Sequence, residues 1–167
     1  VRGGRIGVIF QEPSTSLNPV MPVGEQIAEI IRAHTSLRGD AVQARVLHWL
    51  ERVGIPDAQR RMKDYPFQFS GGQKQRIMIA IALAAEPQLL IADEPTTALD
   101  TTTQAQILEL LRRIRDVDGT SILLVSHDFG VIAEMCDDVA VMYGGFIVET
   151  GPVEEVYLRP KHPYTKA

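Results

Sequence analysis

The sequence predicts an α/β fold, a parallel sheet with helices on both faces plus an inserted helical layer, on three observations. Residues 88–93, 121–126 and 138–143 are short apolar runs without alternation, the pattern of strands inside a parallel sheet. The first two flank a helical pattern at Ile107, Leu110, Leu111 and Ile114, giving strand, helix, strand. Residues 23–86 carry amphipathic helical faces with no strand between them, which sets a helical layer apart from the sheet.

Taken in order, the β-branched run 5–10 reads as a buried strand, and the polar, Pro-rich stretch from Gln11 to Pro22 as the loop that ends it. Ile27, Ile30 and Ile31 share one helical face; Val42, Val46, Trp49, Leu50 and Val53 share a second, closed by Gly54 and Pro56. Asp40 and Gln43 stand at capping-box spacing ahead of that second face. Residues 77–85 form a buried helix, and residues 151–167, with Pro152, Pro160 and Pro163, read as a short helix and a loose end.

Composition bounds the function. At 167 residues the chain is about one domain, long enough to bury a core, which excludes a peptide hormone or a linker. Lys and Arg number 17 against 21 Asp and Glu, a net charge of -4, so no broad basic surface favours nucleic acid. The longest unbroken apolar run, 77–85, is nine residues, far short of the roughly 20 that span a bilayer. A single cysteine, Cys136, leaves no internal disulfide and fits a reducing compartment. Val1 in place of Met, with no signal-peptide pattern after it, gives the expectation of a cytosolic piece of something longer.

Ligand sites in open α/β sheets lie beyond the carboxyl ends of the strands, and the polar residues fall there. Asp93 and Glu94 end a buried strand, where carboxylates need a partner: Mg²⁺ for the first and an attacking water for the second, or simply the turn before Pro95. Ser70, Gly71, Gly72 and Gln73 open the helix 77–85. They read as an anion site, since two glycines leave backbone N–H groups unshielded at the positive helix end, and equally as a capping box. His127 directly follows a strand and is either structural or placed for a terminal phosphate. Gln11, at the end of the first strand, has the same option or is a loop residue, and Asp100 caps the helix after it.

The order Gln11, Ser70-Gly71-Gly72-Gln73, residues 89–94, Ala98-Leu99-Asp100, His127 resembles the nucleotide-binding subunit of ABC transporters over nearly the whole chain. The resemblance implies a P-loop NTPase fold, with a partial RecA-like core over 1–22 and 87–150, a helical subdomain over 23–86 and a tail over 151–167. It makes Gln11 the Q-loop glutamine and a Mg²⁺ ligand, Ser70 to Gln73 the signature that contacts ATP, and Asp93 the Walker B ligand of Mg²⁺. Glu94 becomes the catalytic glutamate, Asp100 the D-loop aspartate and His127 the switch histidine. Gln11-Glu12-Pro13 followed by Ser16-Leu17-Asn18-Pro19, the stretch Ala92-Asp93-Glu94-Pro95-Thr96-Thr97-Ala98-Leu99-Asp100, and His162-Pro163-Tyr164-Thr165 resemble the branch that imports oligopeptides, dipeptides or nickel. Phe69 stands in for the usual leucine and Gln73-Lys74 for the branch's Met-Arg; neither change removes a phosphate contact.

What the resemblance implies is a head-to-tail dimer of ATP-binding subunits on the cytoplasmic face of the membrane, under two permease subunits served by an extracytoplasmic binding protein. No G-x-x-x-x-G-K-[ST] occurs in the 167 residues, so the expectation is negligible ATP binding by this chain alone. The alternative is a non-catalytic module that only completes a partner's ATP site through Ser70 to Gln73. A chromosome-maintenance ATPase fits poorly, because the helices before the signature are short and broken by Pro and Gly.

Overall fold

The computed structural model describes residues 3–97 and 99–166; Val1, Arg2, Ala98 and Ala167 lie outside the described residues. The chain divides into two compact units, Val1–Val125 and Ser126–Ala167.

In the first unit three parallel strands, β1 (Ile6–Ile9), β2 (Leu89–Asp93) and β3 (Ser121–Val125), pair in the order β1-β2-β3. Ile6 lies opposite Leu89, and Asp93 opposite Val125. β2, in the middle, buries Leu90 and Ala92 completely. β3 departs from the interior strand expected of its apolar run. It is an edge strand in the described sheet, and Leu123 and Val125 on its open face are 53% and 46% exposed.

Around the sheet run α1 (Pro13–Ser16), α2 (Val23–His34), α3 (Asp40–Arg52), α4 (Ala58–Arg61), a 3₁₀ turn at Pro66–Gln68, α5 (Gly71–Leu83) and α6 (Thr101–Asp118). The sequence period places their cores: Val23, Ile27 and Ile31 in α2, and Val42, Val46, Trp49 and Leu50 in α3, are buried. α5 is apolar almost all round and packs against α1, α2, α3 and β1. Each buried Ile or Leu contributes about 1.5–3 kcal/mol relative to exposure, so α5 is the centre of this unit. Arg76 ties it outward, donating to the Val53 carbonyl at 2.6 Å and to Gln106 at 3.0 Å, and its partial burial lowers its pKa. Asp40 is not the predicted cap: the cap position falls on Gly39 at φ +55, so Asp40 is the first helical residue, its carboxylate near the positive end of α3.

The second unit holds α7 (Phe129–Met135), β4 (Asp138–Tyr143), β5 (Phe146–Pro152), α8 (Val153–Leu158) and α9 (Pro163–Lys166). β4 does not join the parallel sheet as its apolar run predicts; it pairs antiparallel with β5, a strand the sequence reading missed. The reason is the two-residue loop Gly144-Gly145, with φ of +56 and +83, which turns the chain straight back on itself. The tail is not a loose end either. The Glu149 carboxylate accepts the backbone N–H groups of Lys161 at 2.8 Å and His162 at 3.0 Å, and the Tyr164 ring lies 4.6 Å from that of Tyr143. Among the described residues no helix is long and apolar enough to cross a membrane.

Candidate functional site

The carboxyl ends of β1 and β2 lie side by side, and they bring Gln11 to Glu94 across 83 positions of sequence. The Gln11 amide donates to Glu94 Oε2 at 3.0 Å, and the Thr97 hydroxyl donates to the same oxygen at 2.8 Å. Glu94 has φ +45, a left-handed conformation that costs a non-glycine residue about 1–3 kcal/mol and persists only where its surroundings impose it. They do so here: its N–H donates to the Val125 carbonyl at 2.9 Å, and its own carbonyl accepts the Thr97 N–H at 3.2 Å. β2 thereby ends in a tight turn, with Asp93 exposed at the strand end and Glu94 half-buried beside it. The loop beyond Gln11 is anchored by Gln26. That buried side chain accepts the Asn18 N–H and donates to the Asn18 and Met21 carbonyls, at 3.0 to 2.8 Å.

A second group lies at the N-termini of α5 and α6. Ser70 and Gln73 form the predicted capping box: Ser70 Oγ accepts the Gln73 N–H at 3.3 Å, and Gln73 Oε1 accepts the Ser70 N–H at 3.1 Å. Gly71 is exposed and Gly72 half-buried. Asp100 caps α6 as read, accepting the Thr103 N–H at 3.0 Å and the Thr103 hydroxyl at 2.7 Å. These bonds hold its carboxyl below the ordinary carboxylate range. The sequence assigns no role to the hydroxyls of Thr97, which lies in the stretch 92–100, and Thr103. Both sit three positions after the carboxylate they serve, a spacing that is itself a turn and cap signal.

His127 is exposed and belongs to the second unit, just ahead of Asp128, whose carboxylate caps α7 through the N–H groups of Gly130 and Val131. The oxygens of Asp93 and the Gln11 amide are hard donors of the kind Mg²⁺ takes. Among the described residues no three His, Cys, Asp or Glu side chains converge to hold a metal.

The family model described as "ABC transporter" matches residues 1–97, more than half of the chain. The chain belongs to the ABC transporter family. Among curated relatives, it is similar to the oligopeptide transport ATP-binding protein OppD of Bacillus subtilis, 55% identical over 99% of the chain and 46% of the relative. OppD of Lactococcus lactis is 50% identical over the whole chain and 49% of its own length. A putative peptide import ATP-binding protein of Brucella abortus is 52% identical over 99% of the chain and 50% of its length. The chain thus spans about half the length of these relatives. Two solved ABC structures superpose on it. CbiO1 of Clostridium perfringens does so at TM-score 0.80 and 31% identity, over 93% of this chain and 60% of that one. The ATP-binding cassette MJ0796, as a dimer bound to ADP and phosphate, reaches 0.79 at 29% identity, over 90% and 64%. The α/β architecture with its parallel sheet is therefore that of the ABC ATPase cassettes, the P-loop NTPase fold.

Proposed function

We propose that this ABC family chain is part of an ATP-hydrolysing subunit that energises the import of peptides. The observation that carries the reading is the Glu94 carboxylate, set in a strained turn at the carboxyl end of β2 and held there by Gln11 and Thr97. The relatives named for peptide or oligopeptide transport support peptides over nickel as the cargo.

In this reading Glu94 orients the attacking water and draws off its proton, while Gln11 and Thr97 keep the accepting oxygen in place. Asp93 and Gln11 would hold Mg²⁺, which when bound neutralises charge on the transferred phosphoryl group. Ser70, Gly71, Gly72 and Gln73 present the positive end of α5 to the phosphates of ATP bound by a second subunit, head to tail, and Asp100 steadies the adjoining turn. His127 is assigned a phosphate contact on the resemblance alone. The helices between residues 23 and 86 would meet one of two permease subunits on the cytoplasmic face of the membrane, with an extracytoplasmic binding protein delivering the peptide.

The alternative is a module that completes a partner's ATP site through Ser70 to Gln73 without hydrolysis; the 167 residues themselves contain no G-x-x-x-x-G-K-[ST]. Calorimetric titration of this chain with Mg-ATP is expected to show no binding in the micromolar range. The importer reading is tested in the complete subunit, reconstituted with its permease partners in vesicles. Peptide-loaded binding protein should stimulate ATP hydrolysis, and stimulation by nickel or by neither cargo would contradict the assignment.

A further inference from the structure

The α5 and α6 N-termini meet at one side chain. A Cβ placed on Gly72 would stand 2.5 Å from Thr103 Cγ2 and 3.7 Å from its Oγ1, so the Thr103 methyl fills the space where any residue but glycine would put its side chain. That methyl cannot swing aside cheaply. Thr103 is β-branched and stiff at χ1, and its hydroxyl is fixed on Asp100 Oδ2 at 2.7 Å while its N–H is fixed on Oδ1 at 3.0 Å. One face of Thr103 therefore belongs to Asp100 and the other to Gly72.

We infer that Thr103 is a positioning residue that couples Asp100 to the Ser70–Gln73 turn, so that the loop carrying Asp100 and the N-terminus of α5 shift together. The inference rests on reading Ser70 to Gln73 as the phosphate-facing turn; it adds the element that sets where that turn sits. It also gives Gly72 a reason independent of any ligand, since the contact is steric and α5 closes on α6 only where there is no Cβ. A displacement of Asp100 then reaches the α5 N–H groups through one side chain.

The test separates the methyl from the hydroxyl. In the full 167-residue chain, G72A should lower the thermal midpoint by about 5 °C through overpacking against the Thr103 methyl. In a T103S background, where that methyl is gone and the hydroxyl remains, the same change should be neutral or raise the midpoint, because Ala is the better helix former. In T103V, which keeps a methyl there, the loss should persist. G72A having the same effect in all three backgrounds would overturn the contact. The coupling is read by amide NMR without nucleotide: D100N should shift the Gly72 N–H resonance with Thr103 present and shift it less in T103V, which loses the hydroxyl bond to Asp100 and keeps the N–H one. A Gly72 resonance indifferent to D100N, or shifted equally in T103V, would overturn it. Neither measurement involves ATP, so their failure is distinct from failure of the phosphate-facing reading, which is tested by ATP hydrolysis in the complete subunit.

Discussion

The two groups of candidate residues are built on opposite principles. At the ends of β1 and β2, Glu94 occupies a left-handed backbone conformation and shares one carboxylate oxygen between Gln11 and Thr97. A strand end needs none of this. At the N-termini of α5 and α6, Ser70, Gln73 and Asp100 make the hydrogen bonds that helix starts commonly make, and capping accounts for their geometry apart from the Thr103 hydroxyl on Asp100. On the proposed reading, function leaves a structural trace in the first group as strain beyond local need, whereas in the second the order of residue types along the sequence is what suggests it.

The sharpest way to test that contrast is to remove the supports of Glu94. Gln11→Ala together with Thr97→Val should lower ATP turnover in the complete subunit about 10–100-fold, by loosening a group whose proton transfer is worth 10²–10⁴-fold, beyond any loss of Mg-ATP affinity from the Mg²⁺ contact assigned to Gln11. A change in affinity alone would place both residues in binding. Next in size, Ser70→Ala should cost about 1 kcal/mol of stability, the ordinary worth of an N-cap, measured by urea denaturation of this chain. A much larger loss would mean that Ser70 does more for the fold than capping.

The smallest effect concerns pH. Thr103 holds the Asp100 carboxyl below its ordinary value of 3.8, so its stabilising share is fully present above that value and lost as pH falls through the lower folded one. Thr103→Val, monitored by NMR of the Asp100 carboxyl, should move its titration upward toward that ordinary value.

Much of this was readable from the sequence, and the parts that were not share a cause. The strands β1, β2 and β3 and the buried faces of α2 and α3 follow from apolar spacing, because burial on one face imposes a period that residues such as Ile27, Ile31, Val42 and Val46 display. β5 has no comparable apolar run, and its only signal, Gly144-Gly145, lies in the turn ahead of it. Among site residues, the types and positions of Gln11, Asp93, Glu94 and Ser70 to Gln73 stood out, but the Gln11–Glu94 bond spans 83 positions and comes from the pairing of β1 with β2. No role for Thr97 or Thr103 follows from the sequence, because a hydroxyl in a threonine-rich stretch has no period; what it serves depends on the turn it closes. Glu149 shows the same limit, since its partners Lys161 and His162 are backbone groups and leave no mark on the sequence.

The most direct test of the account is Glu94→Gln in the complete subunit, with ATP binding and hydrolysis measured side by side. The amide keeps the shape and an acceptor oxygen for Gln11 and Thr97 but cannot take up a proton from water. ATP affinity should therefore persist while turnover falls by 10²-fold or more, about 3 kcal/mol in the barrier. Hydrolysis at the unaltered rate would remove Glu94 from the chemistry and leave its strained turn as a structural feature of β2.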